Sequence, residues 1–143
     1  MIALPDINVL LALTWSNHPH HDAAHCWFGR DSAAGWATCL LTQTGFVRLS
    51  LNPQVVGVSI NCQVALNLLQ SLIAHPHHQD VDRAPPLTAS PFDELVPNII
   101  GYRQVSDATL LYPVRVHGMK LVTFDQAIMA VCAWRENLEL LTP

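Results

Sequence analysis

Short apolar runs alternate with longer stretches of helical spacing from one end of the chain to the other. The first run, "IALP", ends at Pro5 and Asp6, and "NVLLALTW" from Asn8 is apolar on all sides, so the pair predicts a buried strand feeding a buried helix. After "SNHPHH", Ala23, Ala24, Trp27 and Phe28 recur at helical spacing, with Asp22 in the first turn and Gly29 near the far end. "GWATC" predicts a second strand. "LLTQTGFVRLSLN" follows as a helix with Leu41, Gly45, Val47 or Arg48, and Leu49 on repeating turns, closed by Asn52 and Pro53. From Ser59, "SINCQVALNLLQSLIAH" is the strongest helical pattern, with Val64, Leu68, Leu72 and Ile73 on one face and Pro76 beyond its end.

The next segment carries four prolines between Pro85 and Pro97 and admits only a short strand at 79–82 and a short helix at 92–96. Ser106 and Asp107 are good helix-starting residues for "VSDATLLYPVRVHG", which Gly118 closes. Pro113, about two turns after Asp107, predicts a kink or break, because proline removes a helical hydrogen bond and crowds the preceding turn. "MKLVTFD" is a buried strand ending at Asp125, and "LELLTP" a terminal strand. This alternation predicts an α/β fold with a parallel sheet covered by helices on both faces, where ligands gather at the carboxyl ends of the strands.

Composition narrows the picture. The 143 residues suit a single domain over 1–143, and 50% hydrophobic residues suffice for a substantial core. Charged residues make up only 13% and the net charge is −4, which excludes a broad basic surface and requires any nucleic-acid contact to be local. Pro5, Asp6 and Asn8 interrupt the apolar start before a secretory core or membrane span is complete, which predicts a soluble, cytoplasmic protein with no membrane partner. Cys26, Cys39, Cys62 and Cys132 lie far apart with no CxxC, as expected of reduced, mostly buried thiols.

Two features carry candidate chemistry. "HPHH" occurs twice, from His18 and from His75, but zinc needs three or four converging ligands, and both copies fall where helices start or stop. Asp6 and Asp125 each follow an apolar strand, and Asp107 opens the helix leading into the second of those strands, so parallel strands bring all three to one edge. Clustered carboxylates raise one another's pKa unless a cation neutralises them, and a hard ion such as Mg²⁺ or Mn²⁺ suits an all-oxygen site. Helix capping is the other reading of each aspartate taken singly.

The segments "LPDINVLLAL", "HPHHDAAHCWF", "WATCLLTQTGFVRLSLNP" and "GYRQVSDATLLYPVRVHGMKLVTFD", in this order over nearly the whole chain, resemble the PIN-domain ribonucleases, and among them the VapC toxins of bacterial VapBC toxin–antitoxin pairs. The resemblance implies a three-layer PIN-like α/β fold, an acidic pocket holding one or two Mg²⁺ or Mn²⁺ ions, and metal-dependent endonucleolytic cleavage of RNA, with structured RNA such as tRNA as the target class. It also implies a homodimer and a VapB-like antitoxin that masks the active groove. Asp6, Asp107 and Asp125 match the metal-binding acids. Gln43 matches a position where many members carry a glutamate, so the implied catalytic set of Asp6, Gln43, Asp107 and Asp125 has one carbonyl in place of a charge. Two outcomes follow from that departure: a working nuclease with weaker metal binding, or a catalytically impaired PIN domain kept as an antitoxin-binding or regulatory module.

Asn8 and Arg103 are the implied substrate contacts, followed by Arg48 and the first HPHH loop. Arg103, four residues before Asp107, either meets an RNA phosphate or pairs with a pocket acid. Trp15, Trp27, Trp36 and Trp134 all lie in apolar stretches, which assigns them to core or dimer packing rather than base stacking.

Overall fold

Leu4 sits fully buried at the middle of β1 (Ala3–Pro5), and the sheet grows outward from it. In the computed structural model, which describes residues 1–81 and 84–143, β1 pairs in parallel with β2 (Trp36–Cys39) on one side and β4 (Lys120–Thr123) on the other. β3 (His78–Val81) continues the sheet beyond β2, and β5 (Leu138–Leu140) beyond β4, giving the all-parallel order β3-β2-β1-β4-β5. The chain builds one half of the sheet from β1 outward through β3 and then returns to β4, so the strand order reverses between β1 and β4. A crevice at the carboxyl ends of the strands is expected at such a reversal.

Side-chain alternation along the strands creates two cores. Leu4, Ala37 and Leu121 face one side, under α6 (Arg103–Val116), Phe92, Ile128 and Trp134. Ala3, Trp36 and Val122 face the other, under α1 (Ile7–Thr14), α2 (His21–Asp31), α3 (Leu40–Ser50) and α5 (Cys62–Ile73). This is the three-layer arrangement expected from the sequence, and the all-round apolarity of α1 follows from its position inside it, with Val9, Leu10, Leu11, Ala12 and Leu13 all buried. Gly45 lets α3 lie close to α1: a Cβ at that position would stand 2.7 Å from Ile7 Cγ1.

Several local expectations are corrected. α6 starts at Arg103 rather than at Ser106, because Gln104 Oε1 accepts the backbone N–H groups of Ile100 and Gly101 and closes the helix entrance one turn earlier. Asp107 therefore lies in the second turn and caps nothing. The helix is not broken at Pro113, which lies within its last turns and is buried; only the helical donor to the Thr109 carbonyl is lost there. Asn52 and Pro53 do not merely end α3 but start a further turn, α4 (Pro53–Val56), with the Asn52 side chain accepting from Gln54 N.

On α5 the buried face is Ala65, Leu69 and Leu72, with Leu68 and Ile73 beside it, whereas Val64 is exposed; the apolar residues outnumber those the sheet can cover. The short helix expected at 92–96 is two 3₁₀ turns, Phe92–Glu94 and Val96–Asn98, since Pro97 limits regular helix there. The strand expected at 79–82 runs from His78 to Val81, and Asp82 lies outside the described residues. Cys39 and Cys132 are buried, but Cys26 and Cys62 are exposed; all four are free thiols. No described helix is long and apolar enough to cross a membrane.

Leu4→Ala should destabilise the protein by about 2–5 kcal/mol, because the site is enclosed by sheet and α6 and cannot collapse. Urea unfolding measures this; a loss below about 1 kcal/mol would mean that the core around β1 is not packed as described.

Candidate active site

Asp6 is the residue on which the two central strands converge. Its backbone N–H donates to Val122 O across the end of β4 (2.8 Å), and its backbone carbonyl accepts from Val9 and Leu10 at the start of α1. The buried side chain is held at both oxygens: Oδ1 accepts from Ile7 N (2.6 Å) and Oδ2 from the Thr123 hydroxyl (2.7 Å). Burial raises the Asp6 pKa, the two hydrogen bonds oppose that rise, and the nearby Asp125 carboxylate adds to it.

Thr123 is fully buried and connects three parts of the site. Its oxygen donates to Asp6 and accepts from Asp125 N (3.0 Å) and from Asn8 Nδ2 (3.3 Å). Sequence reasoning missed it; the available signal was a polar residue closing an apolar strand directly before "FD". Asn8 also accepts from Phe124 N at 3.5 Å, so both ends of its amide are engaged within the protein. Asn8 thereby acts in this structure as a brace between α1 and the end of β4.

Asp125 is exposed and caps the 3₁₀ turn Gln126–Ala130, with Oδ1 accepting from Ala127 N (2.9 Å). The capping reading is thus correct for Asp6 and Asp125. It does not exclude a second role, since an ionised carboxylate has several lone pairs and one or two hydrogen bonds do not exhaust them. Asp107, half-buried in α6, is different: its pKa is raised to about 6, first by burial and then by the charges of Asp125 and Asp6. The three aspartates therefore interact electrostatically at the reversal point of the sheet. Among the described residues, no three His, Cys, Asp or Glu side chains converge closely enough to grip an ion directly.

Gln43 is not gathered with the aspartates by its hydrogen bonds. Its Nε2 donates to Thr38 Oγ1 (2.9 Å) and to Asp80 Oδ1 (3.1 Å), at the carboxyl ends of β2 and β3. His78 Nε2 shares the same threonine hydroxyl at 2.9 Å, and burial lowers the pKa of that imidazole.

Arg103 is exposed and pairs with no acid among the described residues; its Nε donates to Tyr102 Oη (3.2 Å). Arg48 has no ion-pair partner among the described residues and lines a groove of about 360 Å³ between α3 and α6, together with Ile7, Thr44, Ser106 and Thr109. Since Ile7 follows Asp6 and Ser106 precedes Asp107, this groove opens beside the acids.

Three of the eight histidines bond to carbonyls at helix ends. His21 Nδ1–H donates to Ala12 O (2.7 Å) and His25 Nε2–H to Leu13 O (2.8 Å), satisfying carbonyls that the last turn of α1 leaves free. His75 Nδ1–H adds a bond to Leu72 O at the end of α5 (3.1 Å), a carbonyl that also accepts from His75 N. His20 stacks on Phe124 with ring centroids 4.5 Å apart, which places the first HPHH loop next to the segment carrying Asp125. Trp27, Trp36 and Trp134 are core residues and Trp15 is partly buried, as their apolar settings suggested.

A five-stranded parallel sheet with helices on both faces and aspartates at its strand reversal is the arrangement of a PIN-like α/β domain with an acidic pocket. No protein-family model matches the sequence, but individual proteins do. Ribonuclease VapC38 of Mycobacterium tuberculosis is 42% identical over 143 residues, covering 99% of both chains. Ribonuclease VapC39 from the same species is 39% identical over 129 residues (90% of this chain and 91% of the relative), and ribonuclease VapC44 is 37% identical over 131 residues (90% and 89%). The chain belongs to the VapC ribonucleases. Its fold is shared by a chain in the crystal structure of VapBC2 from Rickettsia felis bound to a promoter DNA fragment, with a TM-score of 0.65 at 13% identity, covering 99% of this chain and 100% of that one.

The raised Asp107 pKa has a defined consequence for stability without metal. A carboxyl with a higher pKa folded than unfolded binds protons more tightly when folded, so its stabilising contribution is complete below about pH 4 and is lost as pH rises through about 6. In chelator, the melting temperature of the wild type should fall between pH 4 and pH 6 relative to Asp107→Asn, whose amide does not titrate. Parallel profiles for the two proteins would contradict the raised Asp107 pKa.

Proposed function

We propose that this protein is a divalent-metal-dependent endoribonuclease, the toxin of a toxin–antitoxin pair, acting in the cytoplasm and restrained by a VapB-type antitoxin. The observation that carries the reading is the placement of Asp6 and Asp125 at the ends of β1 and β4 beside Asp107, whose pKa burial raises and the charges of Asp125 and Asp6 raise further, in a chain of the VapC ribonuclease family. A half-buried carboxylate whose pKa neighbouring acids raise favours a nearby positive charge, and an all-oxygen donor set favours Mg²⁺ or Mn²⁺ over zinc. Among the described residues the ligands form no closed ring, as suits Mg²⁺, which usually keeps several waters. When bound there, such an ion supplies an activated water and neutralises charge on the scissile phosphate.

The chain's own residues have distinct parts in this reading. Asp6, Asp107 and Asp125 hold the ion. Thr123 fixes the rotamer of Asp6 through its hydroxyl, and Asn8 keeps the end of β4 against α1. Arg48 and Arg103 supply positive charge for RNA phosphates on a surface that is otherwise net negative. Structured RNA such as tRNA is the proposed target class.

A homodimer is part of the proposal. Leu40 is 79% exposed and Leu41 50%, on α3, and Val64 and Leu66 on neighbouring α5 are exposed as well. An apolar surface shared by two adjacent helices is suited to a second copy of the chain.

Cleavage of total RNA in Mg²⁺ or Mn²⁺, lost in chelator and reduced at least about a hundredfold by Asp6→Asn, is the expected result for purified, antitoxin-free protein. Absence of metal-dependent and Asp6-dependent cleavage would leave the alternative of an impaired, antitoxin-binding module. Gln43→Glu separates the two further. Because the Gln43 amide donates to Thr38 and Asp80, a glutamate there should cost about 1–3 kcal/mol of stability and bring no gain in cleavage. A large gain would instead place position 43 in the catalytic pocket and identify the natural protein as impaired.

A further inference from the structure

Most of the bulky aromatic residues are buried, but Tyr102 is 81% exposed. It stands at the entrance of α6, with Ile100, 91% exposed, two residues before it. Arg103 lies against the tyrosine, its Cζ 5.6 Å from the ring centroid and its Nε donating to the phenol oxygen. The backbone beneath the pair is fixed, because Gln104 Oε1 accepts from both Ile100 N and Gly101 N. Residues Ile100, Gly101, Tyr102, Arg103 and Gln104 line a shallow depression of about 350 Å³.

The position of this pair relative to the acids gives it meaning. Five residues of helix span about 7.5 Å, so Tyr102 is little more than one turn from Asp107. Arg103 and Asp107 are four residues apart and share one face of α6. Tyr102 and Ser106 share an adjacent face, on which Ser106 and Thr109 line the groove that also contains Arg48. A strand of nucleic acid with its scissile phosphate at the acids would pass a flat aromatic ring flanked by a guanidinium.

We propose that Tyr102 and Arg103 form a stacking platform for an unpaired nucleobase beside the scissile phosphate. The proposal rests on the ribonuclease reading above. A π-face takes any base but only one that has left its helix, whereas the adjacent guanidinium meets the backbone phosphate. Arg103, exposed and with no carboxylate partner among the described residues, favours a polyanion over a protein partner at this patch.

The test measures binding of fluorescein-labelled decaadenylate RNA by anisotropy, in chelator so that cleavage does not enter. The comparison probes are an abasic decamer and an A10·U10 duplex. The wild type should bind the decaadenylate more tightly than either. Tyr102→Ala should weaken that binding about tenfold while leaving the abasic decamer unchanged, and Tyr102→Trp should retain it. Arg103→Ala should weaken the single strand and the abasic decamer alike.

Equal binding of single strand, abasic decamer and duplex by the wild type, or no effect of Tyr102→Ala, would overturn the proposal. Unchanged RNA binding with altered sedimentation of Tyr102→Ala would assign the patch to protein contact instead. Cleavage of total RNA in Mg²⁺, run in parallel, keeps the two ideas apart. Tyr102-dependent binding without any cleavage would refute the nuclease and spare the platform, and cleavage with unchanged binding ratios would do the reverse.

Discussion

The hydrogen bond from the Thr123 hydroxyl to Asp6 joins residues 117 positions apart and sets the geometry where β1 and β4 end. It exists because β1 and β4 are neighbours in register, with Pro5 opposite Val122, so the residues that follow each strand emerge side by side. Through the same oxygen, Thr123 orients the backbone of Asp125 and the amide of Asn8. A buried hydroxyl with this many partners is costly to leave unsatisfied, which gives the strand ends a single preferred arrangement.

Around that fixed point the aspartates combine two functions that are often treated as alternatives. Asp6 and Asp125 cap the turns that follow them, and capping holds their carboxylates at the end of the sheet without consuming every lone pair. Asp107 has no cap to make, and it is the acid whose environment most disfavours its charge. The site is therefore assembled from two structural carboxylates and one placed by a helix interior. This division explains how a cluster of like charges persists in a folded chain: two of its members stabilise local backbone while they repel the third.

Much of this was legible in the sequence. Apolar runs ending in aspartate located β1 and β4 and two of the three acids, and the alternation of periods gave the layered α/β architecture. Less visible were features set by long-range contacts. The role of Thr123 depends on a partner at the other end of the chain, and the direction of the Gln43 amide depends on Asp80, brought near only when β3 pairs with β2. The start of α6 was misplaced because Gln104 closes the entrance from inside the helix, whereas the residues that usually mark a helix start, Ser106 and Asp107, stand a turn later. The repeated HPHH pattern raised the question of a metal, but two of its imidazoles, His21 and His75, bond to carbonyls at helix ends, as does the nearby His25.

The separation between Asp6 and Thr123 also bears on when the acidic cluster comes into being. A chain leaving the ribosome exposes β1, α1 and the whole β2–β3 half of the sheet first, but β1 then lacks its neighbour on one side and Asp6 lacks its hydroxyl donor. Asp107 and Asp125 are synthesised in the last third of the protein. The fold thus delays assembly of the three acids until β4 has followed α6, and a chain ending before Asp125 carries the β2–β3 half of the sheet without the cluster.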